Sequence, residues 1–237
     1  MSEASTPAAV GVVLAAGLGT RVGADGNKAY LPLAGRSMVS WSLDALTQVP
    51  AITRIVLVFR KGERELAEQT VSIEVVGASV EFVEGGDTRH ASEFNLLRYL
   101  AADIESGAID VALIHDAARP LAGSGMFETA LAVAREYGGA IPALAVPDVV
   151  KSVAGGMESV SGNGTLVRVQ TPQAFRAMPL LRAYRAADDA GFEGTDTSSC
   201  VETFTDLEVR TFQGEERNLK VTYAHDIAVA ERLLTGR

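Results

Sequence analysis

Residues 8–16 form a short apolar run that leads directly into a glycine-rich turn. The run is rich in Val, Leu and Ala, which is typical of a strand buried on both faces of a parallel sheet. The turn then lies at the carboxyl end of that strand, where Gly17 and Gly19 allow main-chain N–H groups to approach phosphate oxygens closely. Arg21 and Lys28 add two cations beside the turn. This segment therefore predicts an α/β fold whose first turn binds a polyanion such as a nucleoside triphosphate.

The spacing within the turn excludes two common phosphate-binding templates. A dinucleotide fingerprint requires a third glycine at the position where Val22 stands. A P-loop requires Ser or Thr directly after its lysine, whereas Ala29 follows Lys28. The pattern that remains is Leu-Ala-Ala-Gly-x-Gly-x-Arg followed by Lys-x-Tyr-Leu-Pro-Leu. It resembles the sugar and polyol phosphate nucleotidyltransferases.

The composition limits the class of protein. With 237 residues, of which 47% are hydrophobic, the chain is long enough to bury the core of one large α/β domain. Its net charge of −9 argues against nucleic acid as a partner, because binding to a phosphate backbone usually requires a broad basic face. A single cysteine, Cys200, excludes a disulfide framework and a thiolate metal site.

The amino-terminal segment indicates neither export nor a membrane anchor. Its sequence, MSEASTPAA, lacks the basic stretch of a secretory signal. The apolar run that follows is too short to span a bilayer. We therefore expect a cytoplasmic protein without a membrane partner.

Strand-like and helix-like runs alternate along the chain, which predicts a Rossmann-like, mostly parallel sheet with helices on both faces. We expect strands at residues 8–16, 54–59, 79–83, 110–115, 140–146, 207–212 and 219–221. We expect helices at residues 37–46, 62–70, 92–102, 126–136, 178–190 and 226–234. All of residues 8–237 then belong to a single domain.

The alternation stops after Pro147, where two short β-like runs, residues 149–153 and 166–169, flank a stretch rich in Gly, Ser and Asn. This pattern predicts a β-hairpin arm over residues 148–170 that projects from the domain. A disordered surface loop is the alternative. Because a lone hairpin is too thin to be stable, the arm also predicts a homodimer in which a second copy covers it.

Three further motifs each follow a predicted strand or the arm, where open α/β sheets bind ligands, and a fourth lies near the end of the chain. They are Gly85-Gly86-Asp87-Thr88-Arg89-His90-Ala91-Ser92, His115-Asp116-Ala117-Ala118-Arg119-Pro120, Gln170-Thr171-Pro172-Gln173-Ala174-Phe175 and Asn218-Leu219-Lys220-Val221-Thr222. In this order and spacing they resemble the 2-C-methyl-D-erythritol 4-phosphate cytidylyltransferases of isoprenoid precursor synthesis and, more broadly, the ribitol 5-phosphate cytidylyltransferases. The resemblance runs from about Val10 to Leu234.

The resemblance implies a nucleotidyl transfer in which a polyol phosphate attacks the α-phosphorus of CTP in line and magnesium pyrophosphate leaves. Arg21 and Lys28 match the residues that stabilise charge on the five-coordinate phosphorus, a task for pre-placed cations. With Lys220 they form the implied catalytic set. No general base is needed, because the attacking phosphate is already anionic at neutral pH.

The resemblance also implies which residues bind the substrates. The nucleotide-binding positions are Ala15, Ala16, Gly17, Gly19, Gly86, Asp87 and Ser92, of which the last three match the cytosine-reading positions. The acceptor-binding positions are Asp116, Ala117, Arg119 and Thr171, with Lys220 beside them. Asp116 further matches the acid on the metal side, where a hard oxygen ligand suits Mg²⁺.

Three titratable residues have a structural alternative. For Asp116 the competing role is the cap of the next helix. Asp226 stands at the start of the last helix, where it is expected to complement the helix dipole rather than to bind metal. His115 ends an apolar strand with no serine or cysteine motif, so we expect a hydrogen-bonded structural histidine.

The departures from the family pattern lie mostly on the acceptor side. Asn27 replaces the usual proline before Lys28, a change expected to loosen the loop. Val149 stands where the family commonly has threonine, Asn163 about where an arginine of the arm is expected, and Thr197 where a second acid is usual. The residues implied for CTP binding are all present.

These departures leave three hypotheses. The first is the isoprenoid-pathway enzyme itself, in which Arg168 would supply the charge missing at Asn163. The second is a paralogue that acts on another polyol or sugar phosphate, such as ribitol 5-phosphate. The third is a non-catalytic nucleotide-binding protein, which would be expected to lack Arg21 or Lys28, whereas both are present.

Overall fold

A mostly parallel β-sheet lies at the centre of the structure, a computed structural model that describes residues 8–17, 26–146, 150–153, 156–159, 166–194 and 196–236. In chain order the strands of these residues are β1 (Ala8–Leu14), β2 (Pro32–Leu33), β3 (Arg36–Ser37), β4 (Ile52–Phe59), β5 (Val80–Glu84), β6 (Ile109–Asp116), β7 (Gly138–Ala145), β8 (Val150–Val153), β9 (Gly156–Ser159), β10 (Val167–Val169), β11 (Gln173–Arg176) and β12 (Glu208–Gln213). The main sheet has the order β10-β7-β11-β6-β1-β4-β5, and β12 pairs with β7.

The register of the central strands defines one functional edge. Strand β1 is parallel to both β4 and β6, so that Leu14 pairs with Val58 on one side and with Asp116 on the other. Strand β5 continues the parallel sheet beside β4, whereas β10 and β11 run antiparallel to their neighbours. The carboxyl ends of β1, β5 and β6 therefore meet at one edge, where open α/β sheets bind ligands.

Helices cover both faces of this sheet. They are needed there because successive apolar side chains of β1 point to opposite faces and both sets are buried. They are α1 (Met38–Thr47), α2 (Arg64–Glu74), α3 (Arg89–Tyr99), α4 (Ala101–Glu105), α5 (Ser124–Tyr137), α6 (Ala177–Asp189), α7 (Thr197–Phe204) and α8 (Ala224–Thr235). Ala9 and Val13 of β1 are buried in one core with α1, α2 and α5. Val10 and Val12 are buried in the opposite core with α3, α4, α6 and α7. Strands buried on both sides account for the continuous apolar runs in the sequence.

The predicted fold class is confirmed, and most predicted elements occur within a few residues of their expected bounds. The strand predicted at residues 219–221 is wrong. This segment belongs to no strand, and Val221 N donates to the Ala118 carbonyl at 2.8 Å. Helix α7 was not predicted; its short length of eight residues leaves little periodicity to detect, and Asp196 caps it by accepting from Ser199 N at 2.9 Å.

The hairpin arm was predicted with the wrong strand pairing. Strand β8 pairs antiparallel with β9, which lies inside the stretch expected to be a loop. Strand β10 pairs instead with β7 of the main sheet, from Val167 opposite Ala145 to Val169 opposite Ala143. Strand β10 thus belongs to the main sheet, and among the described residues of the predicted arm the hairpin strands are Val150–Val153 and Gly156–Ser159.

None of the described helices combines the length and the apolar character that crossing a membrane requires.

Candidate active site

A cavity of about 410 Å³ opens at the carboxyl edge of β1, β5 and β6. Its wall is formed by residues 14–17, 27–29, 86–89, 92, 116–118 and 220. Ten of the residues predicted for the site lie in this wall, namely Ala15, Ala16, Gly17, Lys28, Gly86, Asp87, Ser92, Asp116, Ala117 and Lys220. Gly19, Arg21, Val149 and Asn163 lie outside the described residues. The sequence motifs, far apart along the chain, thus converge on one cavity.

The turn after β5 packs tightly against its neighbours. A Cβ on Gly85 would lie 2.5 Å from the Cβ of Ala16, and a Cβ on Gly86 would lie 2.5 Å from that of Ala91. Ser92 Oγ accepts from Gly86 N at 3.1 Å and donates to the Thr88 carbonyl at 2.8 Å. The glycines are thus required by the protein's own packing, and Ser92 braces the turn whether or not a base is bound.

Lys28 is positioned by the residue that precedes it. The Asn27 side chain donates to the Ala15 carbonyl at 2.6 Å and to Glu63 Oε2 at 2.7 Å, and it accepts from Ala29 N at 3.0 Å. The last bond caps the 3-10 helix Lys28–Tyr30. Asn27 itself is therefore anchored by three side-chain hydrogen bonds, in place of the fixed backbone of a proline. Lys28 Nζ itself donates to the Val221 carbonyl at 3.1 Å.

Asp116 lies between two cations at the end of β6. Its Oδ1 accepts from Arg89 Nη1 at 2.5 Å, and its Oδ2 accepts from Lys220 Nζ at 2.7 Å. The competing role as a helix cap is wrong, because the next helix begins at Ser124 with Gly123 at its N-cap. Burial alone would raise the pKa of Asp116, but Arg89 and Lys220 hold it well below the usual range, so the carboxylate is ionised.

Thr171 and His115 lie behind Asp116 rather than in the wall of the cavity. Thr171 Oγ1 accepts from Asp116 N at 3.0 Å and lies 3.1 Å from His115 Nδ1. His115 Nε2 lies 3.0 Å from the Arg119 carbonyl and donates to it. The expectation of a structural histidine is confirmed, and burial lowers the pKa of His115 to about 4. In this geometry Thr171 holds the main chain of Asp116.

Arg119 also lies outside the cavity wall, on the turn that follows β6. Its Nη1 donates to the Asn218 carbonyl at 2.9 Å, and its buried Nε has no hydrogen-bond partner among the described residues. Burial lowers the pKa of Arg119, and the positive charge of Arg168 lowers it further. Arg168 is exposed and forms an ion pair with Glu216 at 3.3 Å.

Two residues of the charge network were missed from the sequence. Arg89 lies in the cavity wall and pairs with Asp116, and Glu93 pairs with Arg89 one helical turn further along α3. Oppositely charged residues at this spacing lie on the same helix face. That signal, directly after the glycine turn, could have identified both.

The predicted role of Asp226 is confirmed. Its Oδ2 accepts from the main-chain N–H groups of Thr222 and Tyr223, each at 2.8 Å, at the start of α8. These bonds lower the pKa of Asp226. Asp226 therefore holds the end of the segment that carries Lys220.

The described residues contain no group of three or more His, Cys, Asp or Glu side chains suited to hold a metal ion. The carboxylates in the cavity wall are those of Asp87 and Asp116. A cage built from protein ligands is thus absent from this part of the chain, and the two carboxylates suit a cation that brings other ligands with it.

Comparison with known proteins identifies close relatives over nearly the whole chain. A family model described as 2-C-methyl-D-erythritol 4-phosphate cytidylyltransferase matches residues 9–236. The protein of that name from Geobacillus kaustophilus is 36% identical over 95% of this chain and 96% of its own length. The one from Cereibacter sphaeroides (strain KD131) is 39% identical over 94% of this chain and 95% of its own length. The solved structure of 4-diphosphocytidyl-2C-methyl-D-erythritol synthase from Anaerococcus prevotii has a TM-score of 0.82 and 27% identity, covering 97% of this chain and 96% of that one.

Proposed function

The chain belongs to the 2-C-methyl-D-erythritol 4-phosphate cytidylyltransferase family, and from that premise we propose how its site transfers CMP from CTP to 2-C-methyl-D-erythritol 4-phosphate. The reaction is a nucleotidyl transfer of isoprenoid precursor synthesis and releases pyrophosphate. The observation that carries the proposal is the convergence of Lys28, Lys220 and Asp116 on one cavity at the carboxyl edge of the sheet.

We propose that the triphosphate of CTP lies against the end of β1. A Cβ on Gly17 would meet no atom of the described residues within 4 Å, so these residues leave the main chain there open to a ligand. Lys28 is held by its contact with Val221 and by the Asn27 bonds. A cation fixed in this way stabilises the charge that develops on the five-coordinate phosphorus and needs no reorganisation during the reaction. Arg21 is proposed to act with it on the ground of the family resemblance.

The cytosine is proposed to bind at the turn after β5, where Gly86, Asp87 and Ser92 line the cavity. The tight packing of Gly85 and Gly86 fixes the main-chain groups of this turn in advance. Main-chain groups that are fixed before binding lose little entropy when a base edge bonds to them. Asp87, which is exposed, is available to accept from the base.

The acceptor is proposed to bind beside Asp116 and Lys220. Its phosphate is already anionic and attacks without a general base, so the protein contributes position and charge. Lys220 is held by Asp116, and its side chain remains 40% exposed and within reach of a phosphate. Arg119, on the turn that follows Asp116, is proposed to add positive potential at this end of the site. Ala117 lines the same wall, while Thr171 acts through Asp116.

Mg²⁺ is proposed as the cation that accompanies CTP. It usually keeps several waters and binds through one or two carboxylates plus substrate phosphates. Asp87 and Asp116 offer such carboxylates, and each carboxylate oxygen can accept a second bond, so Asp116 keeps capacity beyond its contacts with Arg89 and Lys220. When bound, the cation neutralises charge on the phosphates and on the leaving pyrophosphate.

A homodimer is proposed from the apolar edge of the sheet. Leu166, which directly precedes β10, and Val167 and Val169 of β10 are 42%, 43% and 40% exposed. Such exposure is unusual for neighbouring apolar side chains at the edge of a sheet. A second copy that covers β10 and the adjoining hairpin would bury them. We also propose that the enzyme acts in the cytoplasm, as its composition suggests.

The acceptor decides between the remaining hypotheses. Ribitol 5-phosphate is not favoured, because the family model and the relatives described above bear the name of the methylerythritol phosphate enzyme. The test is pyrophosphate release with CTP and Mg²⁺ in the presence of methylerythritol 4-phosphate, ribitol 5-phosphate or no acceptor, with Lys220→Met as the inactive control. Release that depends on methylerythritol 4-phosphate supports the proposal; a preference for ribitol 5-phosphate, or release without acceptor, contradicts it.

A further inference from the structure

Glu93 is a buried carboxylate to which the reaction described above gives no part. Its side chain is only 1% exposed. Oε2 accepts from the hydroxyl of Tyr184 on α6, and Oε1 accepts from Thr197 Oγ1 on α7 at 2.7 Å. Arg89 Nε forms an ion pair with the same Oε1 at 3.1 Å, although the angle of this contact is not that of a hydrogen bond. A carboxylate is tolerated in such a place only when it is paired and hydrogen-bonded, so these contacts are a built environment rather than an accident of packing.

Arg89 connects this buried carboxylate to the active site. Its Nε faces Glu93, and its Nη1 donates to Asp116 Oδ1 at 2.5 Å. The other oxygen of Asp116 accepts from Lys220. We call Glu93, Arg89, Asp116 and Lys220 the charge cluster. In it, two cations alternate with two carboxylates, from the buried Glu93 to Asp116 and Lys220 in the wall of the cavity. Burial raises the pKa of Glu93, and the charge of Arg89 and the hydrogen bonds from Tyr184 and Thr197 oppose that rise and favour the carboxylate. Loss of the charge on Glu93 would leave two cations to share Asp116 alone.

We propose that Glu93 is a positioning residue, which holds the Arg89 guanidinium against Asp116 and thereby fixes the Asp116 carboxylate and the Lys220 ammonium for the acceptor. The inference rests on the proposed roles of Asp116 and Lys220. It differs from a purely structural role because Arg89 joins Glu93 to a residue of the cavity wall. A small misplacement of a charged group in an active site lowers turnover strongly.

The first variant is Glu93→Gln, which keeps the shape of the side chain and removes its charge. We expect kcat to fall by about tenfold or more, because Arg89 is no longer held, while the Kd for CTP changes by less than about threefold. The measurements are kcat and KM for the acceptor, and CTP binding by calorimetry. An unchanged kcat would overturn the proposal, as would equal losses of turnover and CTP binding.

A carboxylate placed at residue 197 tests whether the kcat lost in Glu93→Gln can be restored. Thr197 Oγ1 is one hydrogen bond away from Glu93 Oε1, so Thr197→Asp in the wild type would place two carboxylates side by side in a buried space. We expect that single variant to lose about 5 °C or more in Tm. In the double variant Glu93→Gln with Thr197→Asp, the new carboxylate replaces the lost one beside Arg89. We expect the double variant to recover at least half of the lost kcat, measured on the logarithmic scale.

Two further variants serve as controls, one for the loss of an ion pair elsewhere in the sheet and one for the case in which Glu93→Gln does not fold. Glu81→Gln on β5 breaks the bidentate ion pair with Arg54 on β4. Neither residue lies in the cavity wall, so this variant is expected to leave kcat unchanged. If Glu93→Gln does not fold, Thr197→Val removes one hydrogen bond from Glu93 and keeps its charge; we expect kcat to fall about threefold with the CTP Kd unchanged.

The results separate this inference from the proposed function. If the wild-type protein showed no acceptor-dependent release of pyrophosphate, the proposed function would be contradicted. The Tm values of the two single variants and the double variant would still test whether the charge at residue 93 can be moved to residue 197. Wild-type protein with normal release, and a double variant no more active than Glu93→Gln, would contradict the role of Glu93 alone.

Discussion

The Lys220 ammonium donates to Asp116 Oδ2 at 2.7 Å, although 104 positions separate the two residues in the chain. Asp116 ends the central strand β6, and Lys220 lies in a segment without regular secondary structure. Each therefore depends on the other: the carboxylate fixes the position of the lysine, and the lysine and Arg89 keep the carboxylate ionised. The acceptor side of the site therefore depends on ion pairs between side chains as well as on the fold of the main chain.

Asp116→Asn tests this dependence. The variant leaves Arg89 and Lys220 without their shared carboxylate, so we expect turnover to fall by about a hundredfold and the free energy of unfolding to fall by about 3 kcal/mol. Pyrophosphate release and urea unfolding measure the two effects. The matched control is Asp110→Asn on the same strand, which breaks the pair with Arg135 at the opposite end of β6. Equal loss of activity in both variants would contradict the assigned role.

Asn27→Ala tests whether Lys28 is positioned by its neighbour. The change removes two donated bonds and one accepted bond, and leaves Glu63 Oε2 and the Ala15 carbonyl without their donor. We expect a loss of about 2 kcal/mol in the free energy of unfolding and a fall of about tenfold in kcat. Asn95→Ala, which removes one exposed bond to the Glu84 carbonyl, is the control and should have neither effect. A fully active Asn27→Ala protein would show that the loop does not need this anchor.

The buried histidine predicts how stability depends on pH. The pKa of His115 is about 4, below its usual value near 6.5, so the unfolded chain binds a proton that the folded protein excludes. This contribution to stability is complete above about pH 6.5 and is lost as the pH falls towards 4, by about 3 kcal/mol in total. In His115→Gln the amide can still donate to the Arg119 carbonyl but does not titrate. Urea unfolding between pH 7.5 and 5 should therefore show a shallower pH dependence for the variant; parallel curves would refute the prediction.

The apolar edge of β10 predicts the oligomeric state. We expect light scattering to give twice the mass of one chain for the wild type. Val169→Asp places a charge on the exposed edge and should shift the protein towards a monomer. Val229→Asp changes a similarly exposed valine on α8, and this variant should stay dimeric. A monomeric wild type, or the same mass for both variants, would remove the edge as an interface.

The elements predicted from the sequence are those that carry a strong local signal. Strand β1 was recognisable because both of its faces are buried, and Lys28 and Asp116 were recognisable because motifs surround them. Helix α7 escaped because its start depends on a cap at Asp196 rather than on periodicity. Strand β10 was paired wrongly because the choice between β8 and the edge of β7 depends on tertiary contact.

The anchoring of Asn27 could not be predicted from the sequence for a related reason. The residue type alone shows that Asn27 restricts the backbone less than a proline would. Its side-chain partners, Ala15 and Glu63, are brought near only by the fold. The same holds for Glu93, whose partners Tyr184 and Thr197 come from two later helices. Sequence motifs therefore identified the wall of the cavity, while the residues that position this wall required the structure.

The most direct test of the mechanism is the comparison of turnover and CTP affinity in Lys28→Ala. If Lys28 stabilises charge that develops in the transition state, its removal costs turnover far more than ground-state binding. We predict a loss of about a hundredfold or more in kcat, measured by pyrophosphate release at saturating CTP and acceptor, and a much smaller change in the CTP Kd, measured by calorimetry. An unchanged kcat, or a loss that appears entirely in CTP affinity, would contradict the account.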